Sequence, residues 1–294
     1  MAQDQVPRDA RARGTGVPQV DVSPRPIHHV RLRRGPIEGV HAEALHSGRS
    51  FGRHWHDGHG FGLMEAGGHR SASGRGTVEA LPGHIVTSNP GEVHDGHPLG
   101  HAPRRWRMVH VSAEAMARLV DGRPREFTRP VFDDPVVRTA MVRLFRHWDD
   151  VDHHDPLATA ACEEALTQVC GLLAHRHSNR RPDTVAPAHL QRVRDCLLDQ
   201  MAAPPDLDHL AGLAGLSRFQ LVRQFARWQS LPPFAWLQQQ RLRQARRLIA
   251  AGSPMAEAAY VCGFADQSHL NRQFVRHFGF TPGQWRQAMA GPLQ

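Results

Sequence analysis

At 294 residues, 40% of them hydrophobic and with a mean hydropathy of -0.48, the chain has the composition of a soluble protein with room for two domains. No run nears the roughly 18 apolar residues that would span a bilayer, and Cys162, Cys170, Cys196 and Cys262 lack CxxC spacing, so neither a membrane protein nor a disulfide or zinc-finger scaffold is expected. The formal charge is +8 and every fixed cation is an arginine, which raises the prospect of a polyanionic partner without deciding it.

Residues 1–26, with Pro7, Pro18, Pro24 and Pro26 and few apolar side chains, predict a flexible arm. They lack the apolar core of a secretion signal, so a cytoplasmic location is expected. From Ile27 to Ser112 short apolar runs alternate with Gly and Pro, as in Phe61-Gly62-Leu63-Met64 and Arg107-Met108-Val109-His110-Val111; this predicts a small antiparallel barrel or sandwich. Helical spacing follows. Pro135 opens a helix with Val137, Met141, Leu144, Phe145 and Trp148 on one stripe, and Pro156 opens another with Leu157, Ala161, Leu166, Val169, Cys170 and Leu173. A polar stretch around Asn179, Pro182 and Pro187 predicts a linker, placing domains at 27–178 and 188–290 with the linker at 179–187.

The region after the linker contains a duplication. Ala211, Gly215-Leu216 and Leu221-x-Arg223-x-Phe225 recur as Ala259, Gly263-Phe264 and Leu270-x-Arg272-x-Phe274, offset by 48 at the glycines and 49 at the Leu-x-Arg-x-Phe element. Each half has the order of a helix-turn-helix: a short helix, a Gly able to take positive φ, an apolar plug and a second helix, with Ser217 and Asp266 at the N-cap positions. With Leu221 and Phe225 facing inward, Phe219, Arg223 and Ala226 face outward, with Val222 on one flank, Gln220 and Arg227 on the other, and Arg218 beside them. In the second unit Ser268 and Arg272 face outward, with Gln267, His269, Asn271 and Arg276 beside them. Such a helix fits the DNA major groove, where Arg reads guanine and Asn or Gln reads adenine. Pro232-Pro233 starts a connecting helix, with Phe234, Leu237, Leu242, Ala245, Leu248 and Ile249 on its expected buried side, ending at Gly252-Ser253-Pro254. Two heads on one duplex face should lie about one turn, ~34 Å, apart.

The segment from Asp206 to Arg286 resembles the C-terminal domain of the AraC/XylS-type transcriptional regulators, most strongly through Gly263-Phe264, Asp266-Gln267-Ser268-His269-Leu270, Arg272-x-Phe274, Phe278-Gly279-Phe280-Thr281-Pro282 and Trp285-Arg286. Ser230 departs from the glycine usual in that family before the connecting helix, and Val222 replaces a commonly polar face residue. The stretch from Ser50 to Ser112 resembles the cupin-like effector domain of the same family through His54-Trp55-His56-Asp57, Gly67, Gly83 and Asn89-Pro90-Gly91-Glu92-Val93-His94.

The resemblance implies an α+β two-domain protein: a cupin-like β-barrel with dimerisation helices at 134–150 and 156–177, then an all-α double helix-turn-helix domain. It implies double-stranded promoter DNA, a small-molecule effector and a second copy of the chain as partners, and RNA polymerase if the regulator activates. His54, His56, Glu65, His94 and Arg107 are the expected effector residues. His54, His56 and His94 are also similar to the metal triad of cupin enzymes, the basis of an alternative reading as a metal-dependent cupin enzyme or metal sensor joined to a DNA-binding domain. No Glu stands where those enzymes carry one: Gly60 and Phe61 occupy the stretch, Glu65 comes too late, and His59 is the available substitute. The preferred expectation is therefore an organic-ligand pocket, with no catalytic residue, metal or cofactor assigned.

Overall fold

Period-two alternation between residues 28 and 111 builds nine strands. The computed structural model describes residues 27–120, 125–150, 155–180 and 187–290. The nine strands are β1 (His28–Arg34), β2 (Val40–Ser47), β3 (Phe51–His54), β4 (His59–Ala66), β5 (His69–Ser73), β6 (Gly76–Ala80), β7 (Ile85–Ser88), β8 (His94–Pro98) and β9 (Arg104–Val111). After α1 (Ala113–Leu119) come β10 (Arg125–Phe127), β11 (Val131–Phe132), α2 (Pro135–Asp150), α3 (Pro156–Arg176) and β12 (Ser178–Arg180). A six-stranded antiparallel sheet runs β1-β2-β9-β4-β7-β11, and a four-stranded one runs β3-β8-β5-β6.

Strand alternation gives the large sheet two faces with different duties. Val40, Ala42, Phe61, Leu63, Val109 and Val111 share one core with Val137, Met141, Leu144, Phe145 and Trp148 of α2 and Leu166, Val169, Cys170 and Leu173 of α3. Burial of each larger apolar side chain there contributes roughly 1.5–3 kcal/mol. The residues between them, including Glu43, Leu45, Met64, Trp106, Met108 and His110, line a cavity shared with the small sheet. Two expectations change. Leu157 is 78% exposed, because α3 enters the core only at Cys162. Asn179 and Arg180, expected in the linker, pair with β10 through β12. The remaining expected linker residues 181–186 and the expected arm 1–26 lie outside the described residues.

The C-terminal part comprises α4 (Ala188–Asp199), α5 (Leu207–Ala214), α6 (Arg218–Gln229), α7 (Pro233–Ala250), α8 (Met255–Val261), α9 (Gln267–Phe278) and α10 (Pro282–Met289). Each helix-turn-helix turn pivots on a left-handed glycine, Gly215 at φ 66° and Gly263 at φ 73°. A side chain at Gly263 would also strike the Ala202 backbone at 2.7 Å. Ser217 and Gln220 form a capping box on α6, and the Asp266 carboxylate accepts from His269 N at 2.6 Å on α9. The connecting helix α7 joins two cores, placing Trp236 and Leu237 in the first and Leu242, Ala245 and Ile249 in the second. Phe234 is a correction to the expected stripe: it is exposed, since Trp236 and Leu237 take the inward positions of that turn.

The two parts pack directly on one another. Asp57, between β3 and β4, accepts hydrogen bonds from Arg243 (3.1 Å) and Arg246 (2.6 Å) of α7. Burial would raise the Asp57 carboxyl, but Arg246 and Arg243 outweigh it and hold the carboxyl below the usual range. Arg246 also lies over the Phe278 and Trp285 rings, and Trp285 meets His41 edge-on at 5.0 Å. Trp55 and Val93 of the barrel enter the first helical core, and Val30 and Leu32 pack against the second.

Ser230 is the one described non-glycine residue with positive φ, at 59°. Ser230→Gly is therefore expected to stabilise the helical part by about 1 kcal/mol, seen as a rise of a few degrees in its thermal midpoint; a lower midpoint would show that Ser230 is held by something other than tolerated strain. Asp57→Asn should cost about 2 kcal/mol by leaving two half-buried arginines short of charge. It should also enlarge the molecule in small-angle X-ray scattering, whereas an unchanged profile would remove this ion pair from the docking.

Candidate functional site

The cavity collects an unusual set of imidazoles. His54 ends β3 and His94 begins β8, and the antiparallel register places them directly opposite one another. His56 follows in the β3–β4 segment. The Asn89-Pro90-Gly91-Glu92 turn ties these pieces together: Gly91, at φ 76°, donates its N–H to the His56 carbonyl at 2.8 Å, and the Asn89 side chain accepts from Phe127 N at 2.7 Å. The ring centroids of His54 and His94 are 4.6 Å apart, those of His54 and His56 5.1 Å, and those of His56 and His94 5.3 Å. His54 Nδ1 donates to the Gly52 carbonyl (2.7 Å) and His94 Nδ1 to the Glu92 carbonyl (2.9 Å).

A second group adjoins the first. His110 of β9 lies 4.7 Å from His56 and stacks on its cross-strand partner His41 at 4.9 Å. Between them Glu43 places a carboxylate oxygen 3.5 Å from His41 and 3.6 Å from His110. The remaining wall is largely apolar, with Leu45, Phe51, Met64, Val86, Trp106 and Met108. One side is supplied by the helical part: His277 and Phe278, the last residues of α9, line the same cavity, and His277 meets His54 edge-on at 5.6 Å. Burial is the main reason the His54, His56, His94 and His277 imidazoles titrate below their ordinary value, with His277 lowered to about 3.

Of the expected effector residues, His54, His56 and His94 therefore come together, and Glu65 and Arg107 do not. Glu65 adjoins Met64, and Arg107 adjoins Trp106, so alternation sends both to the opposite face of the sheet. There Arg107 pairs with Glu65 (2.5 Å) and Asp149 (3.1 Å) and lies 4.3 Å from the Phe145 ring centroid. His59 cannot replace the missing cupin carboxylate either: its Nε2 donates to the Arg125 carbonyl at 2.9 Å, and its ring packs on Phe127. Sequence reasoning passed over Glu43, His41, His69, His110 and His277. Period-two spacing in β2 and β9 could have found the strand residues. His277 carried no local signal, because only the packing of α9 brings it to the barrel.

On the DNA-directed helices, Phe219 (72% exposed), Arg223 and Arg227 of α6 face solvent, as do Gln267, Ser268, Asn271, Arg272 and Arg276 of α9. Val222 is half-buried. Three expected contacts already have structural duties. Ser217 caps α6, Arg218 pairs with Asp208 of α5, and His269 packs edge-on to Phe264.

His69 gives this region a measurable pH signature. Burial, then Arg104, lowers its imidazole to about 3, so the folded protein holds it neutral. The unfolded chain takes up that proton near pH 6.5, so the stability is present above that pH and is lost as pH falls towards 3. His69→Gln should flatten the loss between pH 6.5 and 5.5 by about 1 kcal/mol in urea unfolding; identical slopes would place the neutral imidazole elsewhere.

Two family models match the chain: an AraC-like ligand binding domain over residues 37–170 and a helix-turn-helix domain over residues 210–288. An uncharacterised HTH-type transcriptional regulator of Bacillus subtilis, YbfI, is 24% identical over 226 residues, covering 76% of this chain and 82% of that protein. The HTH-type transcriptional activator RhaS of Escherichia fergusonii is 30% identical over 196 residues, covering 66% of this chain and 62% of RhaS. Crystal structures of ToxT from Vibrio cholerae share the fold. An apo form superposes with TM-score 0.51 at 9% identity, covering 87% of this chain and all of that one. An unsaturated fatty acid-bound form gives 0.52 at 10%, covering 87% and 96%. With the N-terminal barrel and the paired helix-turn-helix units matched in order, the chain belongs to the AraC-type transcription regulators.

Proposed function

We propose that this regulator reads a promoter with α6 and α9 and adjusts that reading to a small ligand held in the barrel cavity. The observation that carries the proposal is the placement of α9: its N-terminal half presents Gln267, Ser268, Asn271 and Arg272 to solvent, while its last turn walls the cavity with His277 and Phe278. Arg272 and His277 are five residues apart, about 7.5 Å along the helix, so a ligand against the second displaces the first as part of one rigid rod. Binding shifts occupancy at DNA only if the ligand favours one arrangement of that rod over the other.

Base reading falls to Arg223 and Phe219 on α6 and to Arg272, Asn271, Gln267 and Ser268 on α9; Arg227 and Arg276 suit phosphate contacts. Arg218, Ser217 and His269 would act mainly by shaping the two heads. Val222 leaves α6 with fewer polar base contacts than α9. The regulator is proposed to act in the cytoplasm as a homodimer, binding two sets of half-sites, without catalysing a reaction of its own. Among the described residues no helix is long and apolar enough to cross a membrane. The stripes of α2 and α3 are occupied by the barrel core, so a dimer would use their outer faces, where Val136 and Leu157 are exposed. ToxT, a fold relative, has been crystallised with an unsaturated fatty acid; here the apolar wall of Leu45, Met64, Val86, Trp106 and Met108 would accept an organic group in the same way.

The test is a mobility shift on fragments upstream of the gene. Wild type should bind one fragment with strong salt dependence. Arg272→Ala should lose about 1–3 kcal/mol of discrimination against changed base pairs, Arg276→Ala should weaken all fragments alike, and the Arg223→Ala/Arg272→Ala double variant should lose selectivity while its circular dichroism is unchanged. A folded double variant that still selects the same fragment would overturn the assignment.

A further inference from the structure

We infer that the barrel cavity takes an organic cation, a compact ammonium or amidinium with an apolar body, whose charged head rests on Glu43. This deepens the sensor reading above and rests on it, naming the class of effector.

The fixed charges around the cavity are the first argument. Among the described residues it is lined by the carboxylates of Glu43, Glu92 and Asp95 and by no arginine. Glu92 is clamped by Arg75 at 2.6 and 2.8 Å, and Asp95 accepts from Ala72 N at 2.7 Å. Glu43 is held less well. The imidazole nitrogens beside it, on His41 and His110, stand 3.5 and 3.6 Å away, beyond the roughly 2.7–3.2 Å of an N–H···O bond. Burial would raise its carboxyl, but His110 and His41 outweigh it and keep the group below the usual range, hence ionised. A buried carboxylate short of close donors is costly, and a ligand that brings an N–H relieves that cost. Arg104 does not compete for it: the guanidinium is fully buried against Phe51 and Trp106, donates to two carbonyls and does not line the cavity.

The neutral polar groups point the same way. His54 and His94 donate through Nδ1 to the Gly52 and Glu92 carbonyls, so each neutral ring offers its Nε2 lone pair as an acceptor. Thr87 gives its hydroxyl hydrogen to the Arg129 carbonyl. Ser88, 7% exposed, lines the cavity with a hydroxyl that no group of the protein meets. Acceptors therefore dominate the wall. A carboxylate or phosphate head would face Glu43 as a like charge and find few donors, whereas an ammonium or amidinium brings several.

Strand register sets the shape of the ligand. On the cavity face Glu43 of β2 is paired with Met108 of β9, and Leu45 with Trp106. Alternate residues of a strand lie about 6.7 Å apart, so a head on Glu43 leaves an apolar body one such step away, among Leu45, Met64 and Trp106. Phe278 closes the cavity from α9.

Phenethylammonium, benzamidinium, 2-phenylethanol and phenylacetate, titrated calorimetrically into the full-length protein with EDTA present, compare heads on one kind of ring. At least one of the two cations should bind about 10-fold tighter than the alcohol, and phenylacetate more weakly than the alcohol. Glu43→Gln should weaken cation binding about 10-fold while altering alcohol binding less than about two-fold, a split that general loss of structure would not produce. Met108→Lys, which sets an ammonium of the protein's own beside Glu43, should abolish cation binding with an unchanged circular dichroism spectrum; it serves if Glu43→Gln does not fold. Equal binding of cations and alcohol, tightest binding of phenylacetate, or binding of neither cation overturns the ligand class. Undiminished cation binding in a folded Glu43→Gln or Met108→Lys overturns the contact with Glu43. The bound cation should also change operator affinity about five-fold or more. Cation binding with the stated preference but without effect at DNA supports the site and overturns the coupling proposed above; failure of both cations to bind, with operator selection intact, overturns this inference alone.

Discussion

His277 and Phe278 end α9 with their rings in the wall of the barrel cavity, and Gly279 follows with φ 85°. Gly279 is required twice over, since that φ is left-handed and a side chain there would meet Phe51 at 3.0 Å; its carbonyl accepts a hydrogen bond from His28 of β1. This seating is what makes one molecule of two parts. It closes the cavity, orients the second DNA-directed helix and brings Trp285 against His41. Asp57, gripped by Arg243 and Arg246, holds the adjoining turn of α7 to the same edge. The outward face proposed to read DNA and the wall of the cavity proposed to hold an effector therefore belong to one helix.

Arginine performs three separate tasks in the molecule, set by burial. Arg223, Arg227, Arg272 and Arg276 stand in solvent, where a cation is inexpensive to hold and free to meet phosphate or a base edge. Arg243 and Arg246 are paired with Asp57, and their charge serves docking. Arg104 is fully buried, donating to the Arg49 and Gly96 carbonyls and lying 4.8 Å from the Trp106 ring centroid; its guanidinium is pushed down to about 10 by burial. Net charge thus says little about where the DNA-facing cations are. The cavity has the opposite character, an array of imidazoles that burial holds neutral.

The helix-turn-helix units were legible because their logic is local. A left-handed glycine, an N-cap and apolar residues at helical spacing are each read within a dozen residues, and Gly215, Gly263, Ser217, Asp266, Leu221 and Leu270 all occupy the positions their residue types demand. The barrel histidines were legible in part for the same reason: His54-x-His56 and the turn leading to His94 are short-range patterns. Glu65 and Arg107 were misplaced because residue type was weighed without the strand's alternation, which turns neighbours of cavity residues to the helix-covered face. Phe234 and Leu157 show the matching limit for helices, where periodicity defines a stripe but not how far along it a neighbour reaches.

By itself, then, the order of residues determined the two-part architecture, the duplicated reading heads, the outward arginines and three of the clustered imidazoles, since each depends on interactions between residues close along the chain. Tertiary structure alone decided that Asp57 grips α7, that Glu43 and His110 stand behind the triad, and that His277 joins His54 across more than two hundred positions of sequence. Contacts of that separation arise from the packing of completed elements, and their partners carry no mutual spacing for a reader of the chain to detect.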